Sequence, residues 1–203
     1  MFSFSPIYTT ADARRLAKKK LPWMVYDYID GSAGEGLGDQ LNRQAIQNLR
    51  LQPRVLKNVE HRSLAGNLFG VKTGLPFGIA PMGMCNLSAP GADLMLARLA
   101  AKHNIPVGVS TAASTPLEKM IETAEGHAWF QLYCGGDEAV SDALVNCAEA
   151  CGYDVLTLTV DVDEVWRRPR ELRRGFKMPF RIGPSQFIDF AMHPSGSFNT
   201  LFQ

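Results

Sequence analysis

Four apolar, strand-like segments separated by helix-like stretches constrain this chain more than any other feature in it. They are Phe77-Gly-Ile-Ala-Pro-Met-Gly83, Pro106-Val-Gly-Val-Ser-Thr111, Ala128-Trp-Phe-Gln-Leu-Tyr133 and Val155-Leu-Thr-Leu-Thr-Val-Asp161. A β-α-β-α-β-α-β alternation predicts a parallel α/β sheet. Each segment ends in polar or turn-forming residues, and the C-terminal ends of parallel strands are where such sheets hold their ligands. A closed (β/α)8 barrel needs roughly 250 residues. The 203 residues here hold four strand signals, about half a barrel.

Composition narrows the function classes. The chain is 46% apolar and 20% charged, ordinary for a globular domain, and its net charge of +1 argues against nucleic acid as a partner. No apolar run reaches the roughly 18–20 residues that span a bilayer, and the N-terminus lacks the apolar core of a signal peptide, so cytoplasmic residence is expected. Cys85, Cys134, Cys147 and Cys151 form no C-x-x-C and no paired metal spacing. No metal site is expected. Cys147 and Cys151, four apart on a predicted helix, read as small apolar core positions in a reducing compartment.

Three segments organise the chain. Residues 1–74 read as a helical extension, with Thr10 or Asp12 capping a helix over Ala13–Lys20 and a second helix over Trp23–Ile29 after Pro22. The glycine-rich Gly31–Gly38 is a connector, Asp39–Asn48 is helical, and Leu51–Lys72 holds short strands and turns suited to covering a barrel bottom. Residues 75–164 form the half barrel, with crossover helices over Pro90–His103, Leu117–Ala124 and Asp137–Cys151. Residues 165–203 read as an excursion after the fourth strand. Between Trp166 and Arg181 seven arginines and lysines oppose the single acid Glu171, and an apolar stretch, Phe187–Met192, follows.

Several strand-end residues can carry chemistry. Pro81 cannot donate to a ladder and marks where Ala80-Pro-Met-Gly83 leaves the sheet, while Gly83 permits close backbone approach to a flat ligand. Ser110, Gln131 and Thr159 end three successive strands. Two hydroxyls and an amide suit a neutral heteroaromatic ring, although each alone is equally a cap or barrel-layer residue. Tyr133 offers a phenol on the same side of its strand as Gln131. Arg168 can form a bidentate pair with a substrate carboxylate or simply be a solvated charge. Tyr26 reads most plainly as a core aromatic. Neither His61, His103, His127 nor His193 is placed as a convincing general base: two lie on the helix-to-strand side, one in the early strand region and one in the excursion.

Taken in order, Leu21-Pro-Trp-Met-Val-Tyr-Asp-Tyr28, Ile79-Ala-Pro-Met-Gly83, Trp129-Phe-Gln-Leu-Tyr133, Leu158-Thr-Val-Asp161 and Arg167-Arg168…Glu171 resemble the flavin mononucleotide (FMN)-dependent α-hydroxy acid dehydrogenase and oxidase family. The resemblance covers nearly the whole chain. It implies a (β/α)8 TIM barrel, of which this chain supplies the N-terminal helices and the first four βα units. It implies that Ala80, Pro81, Met82 and Gly83 lie against FMN, and that Ser110, Gln131 and Thr159 hydrogen-bond its ring. It further implies that Tyr26 and Arg168 hold the substrate carboxylate and that the catalytic Tyr133 faces the substrate hydroxyl. The family's proton-abstracting histidine, a second arginine and a flavin-stabilising lysine lie in the other half of the barrel. That half, on the same precursor or a second chain, is therefore an expected partner, since an open half barrel exposes sheet edges. Self-association is left open.

The expected reaction is oxidation of an (S)-2-hydroxy acid, mandelate- or lactate-like, to the 2-oxo acid, with electrons passing from FMN to a quinone-like acceptor. Gly83, where family oxidases commonly have alanine, and the basic-apolar excursion favour a dehydrogenase. The resemblance extends to the loop after strand four, which associates some members with membranes, and a basic stretch beside an apolar one suits the inner face of an anionic membrane. The alternatives are an oxygen-using oxidase and a non-catalytic, truncated flavin-binding half barrel. A doubly wound nucleotide-binding domain is excluded, because no G-x-G-x-x-G or G-x-x-x-x-G-K-[ST] follows a strand.

Overall fold

The computed structural model describes residues 6–134, 136–161, 167–176, 183–194 and 196–197. These fall into two compact units: residues up to 52, 87–90 and from 167 onward form the first, and 53–86 with 91–161 the second.

The second unit is built on a four-stranded parallel sheet, β3 (Ile79–Met82), β4 (Val107–Ser110), β5 (Ala128–Tyr133) and β6 (Leu156–Thr159), paired in chain order. Sequential order without a reversal is the pairing of a barrel rather than of a doubly wound sheet, which changes direction at a switch point. The crossover helices are α4 (Ala92–His103), α5 (Leu117–Thr123) and α6 (Glu138–Ala150), each within two residues of its expected span. Their apolar faces close over the sheet: Ala97, Ala100, Met120 and Ala148 pack with Val107, Val109, Phe130 and Leu132, all buried. Ala97 and Ala100 let α4 approach closely where bulkier side chains would hold it off.

Ahead of this sheet, β1 (Gly66–Leu68) and β2 (Val71–Thr73) form a two-stranded hairpin. Phe69 and Gly70 both have positive φ, 50° and 85°, as the two-residue turn of a right-twisted hairpin requires. The outer strand β6 differs from β5. Leu156 and Leu158 are about half exposed, whereas Phe130 and Leu132 of β5 are buried.

In the first unit, α1 (Thr10–Lys20) starts three residues earlier than expected. Its cap is Thr9, whose hydroxyl accepts from Asp12 N–H while the Asp12 carboxylate accepts from Thr9 N–H, a reciprocal capping box. The next helix, α2 (Trp23–Asp30), has only Pro22 before it and no local side-chain cap. Its free amides are met from far along the chain: Asp189 accepts from Trp23 N–H at 2.8 Å and from Met24 N–H at 3.0 Å. Asp189 lies on α8 (Pro184–Met192). His193, expected in a loose excursion, is instead buried beside Asp189, with Nδ1 2.8 Å from the Asp189 carbonyl and an edge contact to the Trp23 ring. This unit also contains α3 (Leu37–Gln47) and α7 (Pro169–Arg174).

The arginine run is partly anchored rather than simply solvated. Arg170 and Arg174 bond the Asp27 carboxylate at 2.7 and 2.8 Å, while Arg170 and Arg14 reach Asp30 at 2.9 and 2.6 Å. Single exposed pairs contribute about 0–1 kcal/mol, but a shared network holds α7 on α2 more firmly than any one pair. Burial raises the Asp30 carboxyl, yet the hydrogen bonds from Arg14 and Arg170 prevail and hold it below its usual range.

The two cysteines four apart, Cys147 and Cys151, meet the expectation in part. Both are half-buried at the seam of α5 and α6, where they meet Glu118; Cys151 packs against the core as expected, whereas Cys147 is not part of that cluster. All four cysteines are free thiols.

Candidate active site

The C-terminal ends of β3–β6 lie side by side along one edge of the parallel sheet, and a specific irregularity shapes the first of them. Ile79 pairs with Val107 and Met82 with Val109, so Ala80 and Pro81 together oppose the single Gly108. A missing proline N–H explains the break in the ladder, and the bulge it leaves re-aims the strand end. Gly108 is required there, because a Cβ would sit 2.7 Å from Pro81 N and Cδ. Beyond Met82, Gly83 abuts the β4–α5 loop, where a Cβ would lie 3.0 Å from Ala112 Cβ. Met84 then takes a left-handed φ of 53°, held by its N–H donating to Ala112 O at 2.9 Å.

The other three strand ends are joined by hydrogen bonds. Ser110 is in register with Gln131, and Tyr133 with Thr159. The Gln131 side-chain amide donates to Thr159 Oγ1 at 2.8 Å. Ser110 Oγ accepts from Ala112 N–H at 3.1 Å. Ser110 and Gln131 are buried, 4% and 3% exposed. Among the described residues nothing takes the Ser110 hydroxyl hydrogen, the second Gln131 amide hydrogen or Gln131 Oε1. Buried polar groups ordinarily find partners, so this pair has donors and an acceptor to offer a ligand. Tyr133 is 43% exposed and Met82 45%, open at the same ends.

Two residues not singled out from the sequence organise this edge. Thr111 Oγ1 donates to Gln131 O at 2.7 Å and accepts from Tyr133 N–H at 3.1 Å, bridging β4 to β5 one step past the regular ladder. Asp93, 3% exposed at the start of α4, accepts from Ser114 N–H at 2.9 Å and ties α4 to the β4–α5 loop. Thr111 was visible as a hydroxyl next to Ser110 at a strand end. Asp93 looked like any first-turn acid. Burial, followed by the nearby Asp93 charge, pushes the Cys85 thiol up to about 11, so it stays protonated at neutral pH.

Tyr26 and Arg168 belong to the first unit. Tyr26 is buried in α2 within a cluster containing Leu21 and Val25, and it lines a cleft of about 690 Å³ with Lys18, Arg170, Arg173 and Arg174. Arg168 precedes α7 and is largely engaged. Its Nη2 donates to the carbonyls of Tyr28 at 2.7 Å and Gly31 at 3.0 Å, and its Nε lies 2.6 Å from Glu171 Oε1. Among the described residues Nη1 alone keeps both hydrogens for a ligand. Burial pushes the Glu171 carboxyl up, and Arg168 offsets this only in part. Tyr26 and Arg168 share no hydrogen bond among the described residues.

Comparison with known proteins gives this geometry a context. The profile of the FMN-dependent dehydrogenase family matches residues 17–202. The chain is 36% identical over 191 residues to (S)-mandelate dehydrogenase of Pseudomonas putida, covering 94% of this chain and 48% of that protein. It is also 36% identical over 194 residues to a putative L-lactate dehydrogenase of Mycobacterium tuberculosis, covering 95% of this chain and 47% of that one. Among solved structures, the monotopic membrane protein (S)-mandelate dehydrogenase superposes with a TM-score of 0.91 at 35% identity, over 98% of this chain and 53% of that chain. A mandelate oxidase superposes with a TM-score of 0.80 at 33% identity, over 86% of this chain and 50% of its own. The chain spans about half the length of the curated relatives it matches.

Proposed function

The chain belongs to the FMN-dependent dehydrogenase family, and from that premise we propose that it supplies the first half of an FMN barrel oxidising (S)-2-hydroxy acids to 2-oxo acids. The joined strand ends carry this reading: buried Ser110 and Gln131 and partly buried Thr159 present neutral hydrogen-bonding capacity along one edge. That donor set fits an uncharged ring, and FMN bound there would supply two-electron acceptance, which no side chain here can provide. Ala80–Gly83 would bear on the ring through backbone, with the Pro81 bulge fixing where that backbone runs. Tyr133 would hold the substrate hydroxyl. Arg168 would hold the carboxylate through Nη1, with Glu171 and two backbone carbonyls fixing its plane, and Tyr26 would complete that grip.

Proton abstraction is assigned to the remaining half of the barrel. His103 ends α4 and His127 precedes β5, both at the end of the sheet away from Ser110 and Gln131, while His193 is committed to Asp189. The half-exposed Leu156 and Leu158 on outer strand β6 support further strands pairing there. A quinone-like acceptor is favoured over oxygen by Gly83, a position too crowded by Ala112 to accept a methyl group without movement.

Peripheral membrane attachment is supported by exposed Phe187, Ile188 and Met192 on α8 and Leu172 on α7, next to Arg173 and Arg174. No helix among the described residues is long and apolar enough to cross a membrane. Because Asp189 caps α2, point changes test this better than deletion of α8: Phe187→Ser with Ile188→Ser should release the protein from anionic vesicles, and undiminished binding would refute attachment through α8.

The activity test is anaerobic. (S)-Mandelate or (S)-lactate added to the purified protein, with the remaining half of the barrel present, should bleach the oxidised flavin absorbance, and Arg168→Lys should raise the substrate concentration needed. A flavin unchanged by every 2-hydroxy acid offered would overturn the proposal.

A further inference from the structure

Outside the strand ends, one cluster combines the right donor types with the right spacing for a ligand that neither the fold nor the proposed reaction calls for. Cys147 on α6 and Cys151, the residue that caps its C-terminus in helical conformation, stand one turn apart, so both sulfurs face the same side. The first turn of α5 brings Glu118 to them, and one ligand atom from each residue lies within 4.8 Å of the others. Cys147 Sγ is 3.7 Å from Glu118 Oε1. The seam is held from a second direction, because the Tyr153 hydroxyl donates to Leu117 O at 2.9 Å, next to Glu118.

We propose that Glu118, Cys147 and Cys151 form a binding site for a thiophilic divalent cation of the zinc class, which clamps α5 to α6. With metal–sulfur distances of about 2.3 Å and metal–oxygen distances of about 2.0–2.2 Å, tetrahedral ligand atoms lie roughly 3.5–3.8 Å apart. The cluster is therefore within about 1 Å of closure, less than a side-chain rotamer adjustment supplies. Two thiolates select against magnesium and calcium, which take oxygen ligands. Three protein ligands leave a fourth position, and Glu118 is exposed, so water reaches it. Binding replaces thiol protons, releasing up to two per cation. Spacing within the sequence did not disclose the site because its third ligand comes from another helix, 29 residues from Cys147.

The test uses the reduced, purified protein with FMN content recorded as a check of folding. Cadmium is titrated as a spectroscopic probe, and zinc is competed against a chromophoric chelator. One equivalent of cadmium should produce a thiolate charge-transfer band, and zinc should protect Cys147 and Cys151 from alkylation while Cys134 stays reactive, as read by peptide mass mapping. Cys147→Ser and Cys151→Ser should each abolish the band, and Glu118→Gln should weaken binding about 10–100-fold. Cys85→Ser should change nothing. Protection mapping needs no variant, so it decides the question even where a substitution unfolds the protein. No saturable one-to-one binding, or alkylation of Cys147 and Cys151 unaffected by zinc, would overturn the proposal.

Discussion

Gly108→Ala places a methyl group where Pro81 already sits. The new Cβ would lie 2.7 Å from Pro81 N and Cδ and 3.0 Å from Pro81 Cα. Ordinary carbon contacts begin near 3.5 Å, so β3 and β4 must separate locally by about 0.5–1 Å. Neither side of this contact is a flexible side chain: one is ring and backbone, the other a strand held by Val107 and Val109 in register. Overpacking of this kind costs about 1–3 kcal/mol. Urea unfolding should show that loss as a lower midpoint at unchanged slope. If the bulge positions Ala80–Gly83 against FMN, the same displacement should raise the FMN dissociation constant about tenfold for each 1.4 kcal/mol of lost contact. Gly38→Ala is the matched control. Gly38 lies inside α3 with nothing within 4 Å of its Cβ position, so alanine there should stabilise by about 0.5–1 kcal/mol and leave FMN affinity alone. Wild-type stability and wild-type FMN affinity in Gly108→Ala would refute the argument that this glycine sets the flavin turn.

Other perturbations follow from the same contacts. Thr111→Val removes the hydroxyl that bridges Gln131 O and Tyr133 N–H. Turnover should fall more than stability, and an unchanged kcat would show that the bridge does not position Tyr133. Asp189→Ala removes the carboxylate that caps α2 and should cost about 1–2 kcal/mol in chemical unfolding. Asp30 is held below its ordinary carboxyl value of 3.8 by Arg14 and Arg170, so its stabilisation is present above that pH and lost as pH falls through the folded-state value. Melting temperatures of Asp30→Asn should therefore lie below wild type near neutrality and converge with it in acid. Parallel curves across that range would show that the ion pairs contribute nothing.

Much of the barrel half was legible because its signals are local. Apolar runs such as Val107–Ser110 and Ala128–Tyr133 are buried strands whichever fold contains them, and Ser110, Gln131 and Thr159 were visible as polar residues at their ends. The helix over Glu138–Ala150 and the turn after Gly31 were equally plain from periodicity and glycine chemistry. The first cap was not: Thr10 or Asp12 was expected, whereas Thr9 takes the extended backbone and caps the helix, with Asp12 completing the capping box at its third position.

The sequence by itself determined which segments of the half barrel become strands and helices, their parallel succession and the kind of ligand their ends can face, but not the helices α7 and α8 within the expected excursion. Tertiary structure decided which residues meet. It set Asp189 on the amides of Trp23 and Met24, Arg170 and Arg174 on Asp27, and Gln131 on Thr159. It also moved His193 from an expected loose loop into a buried contact and brought Glu118 to Cys147 and Cys151. The reason is physical. Periodicity and propensity act over one or two turns of chain, whereas a hydrogen bond between residues more than a hundred positions apart exists only after packing has closed the distance.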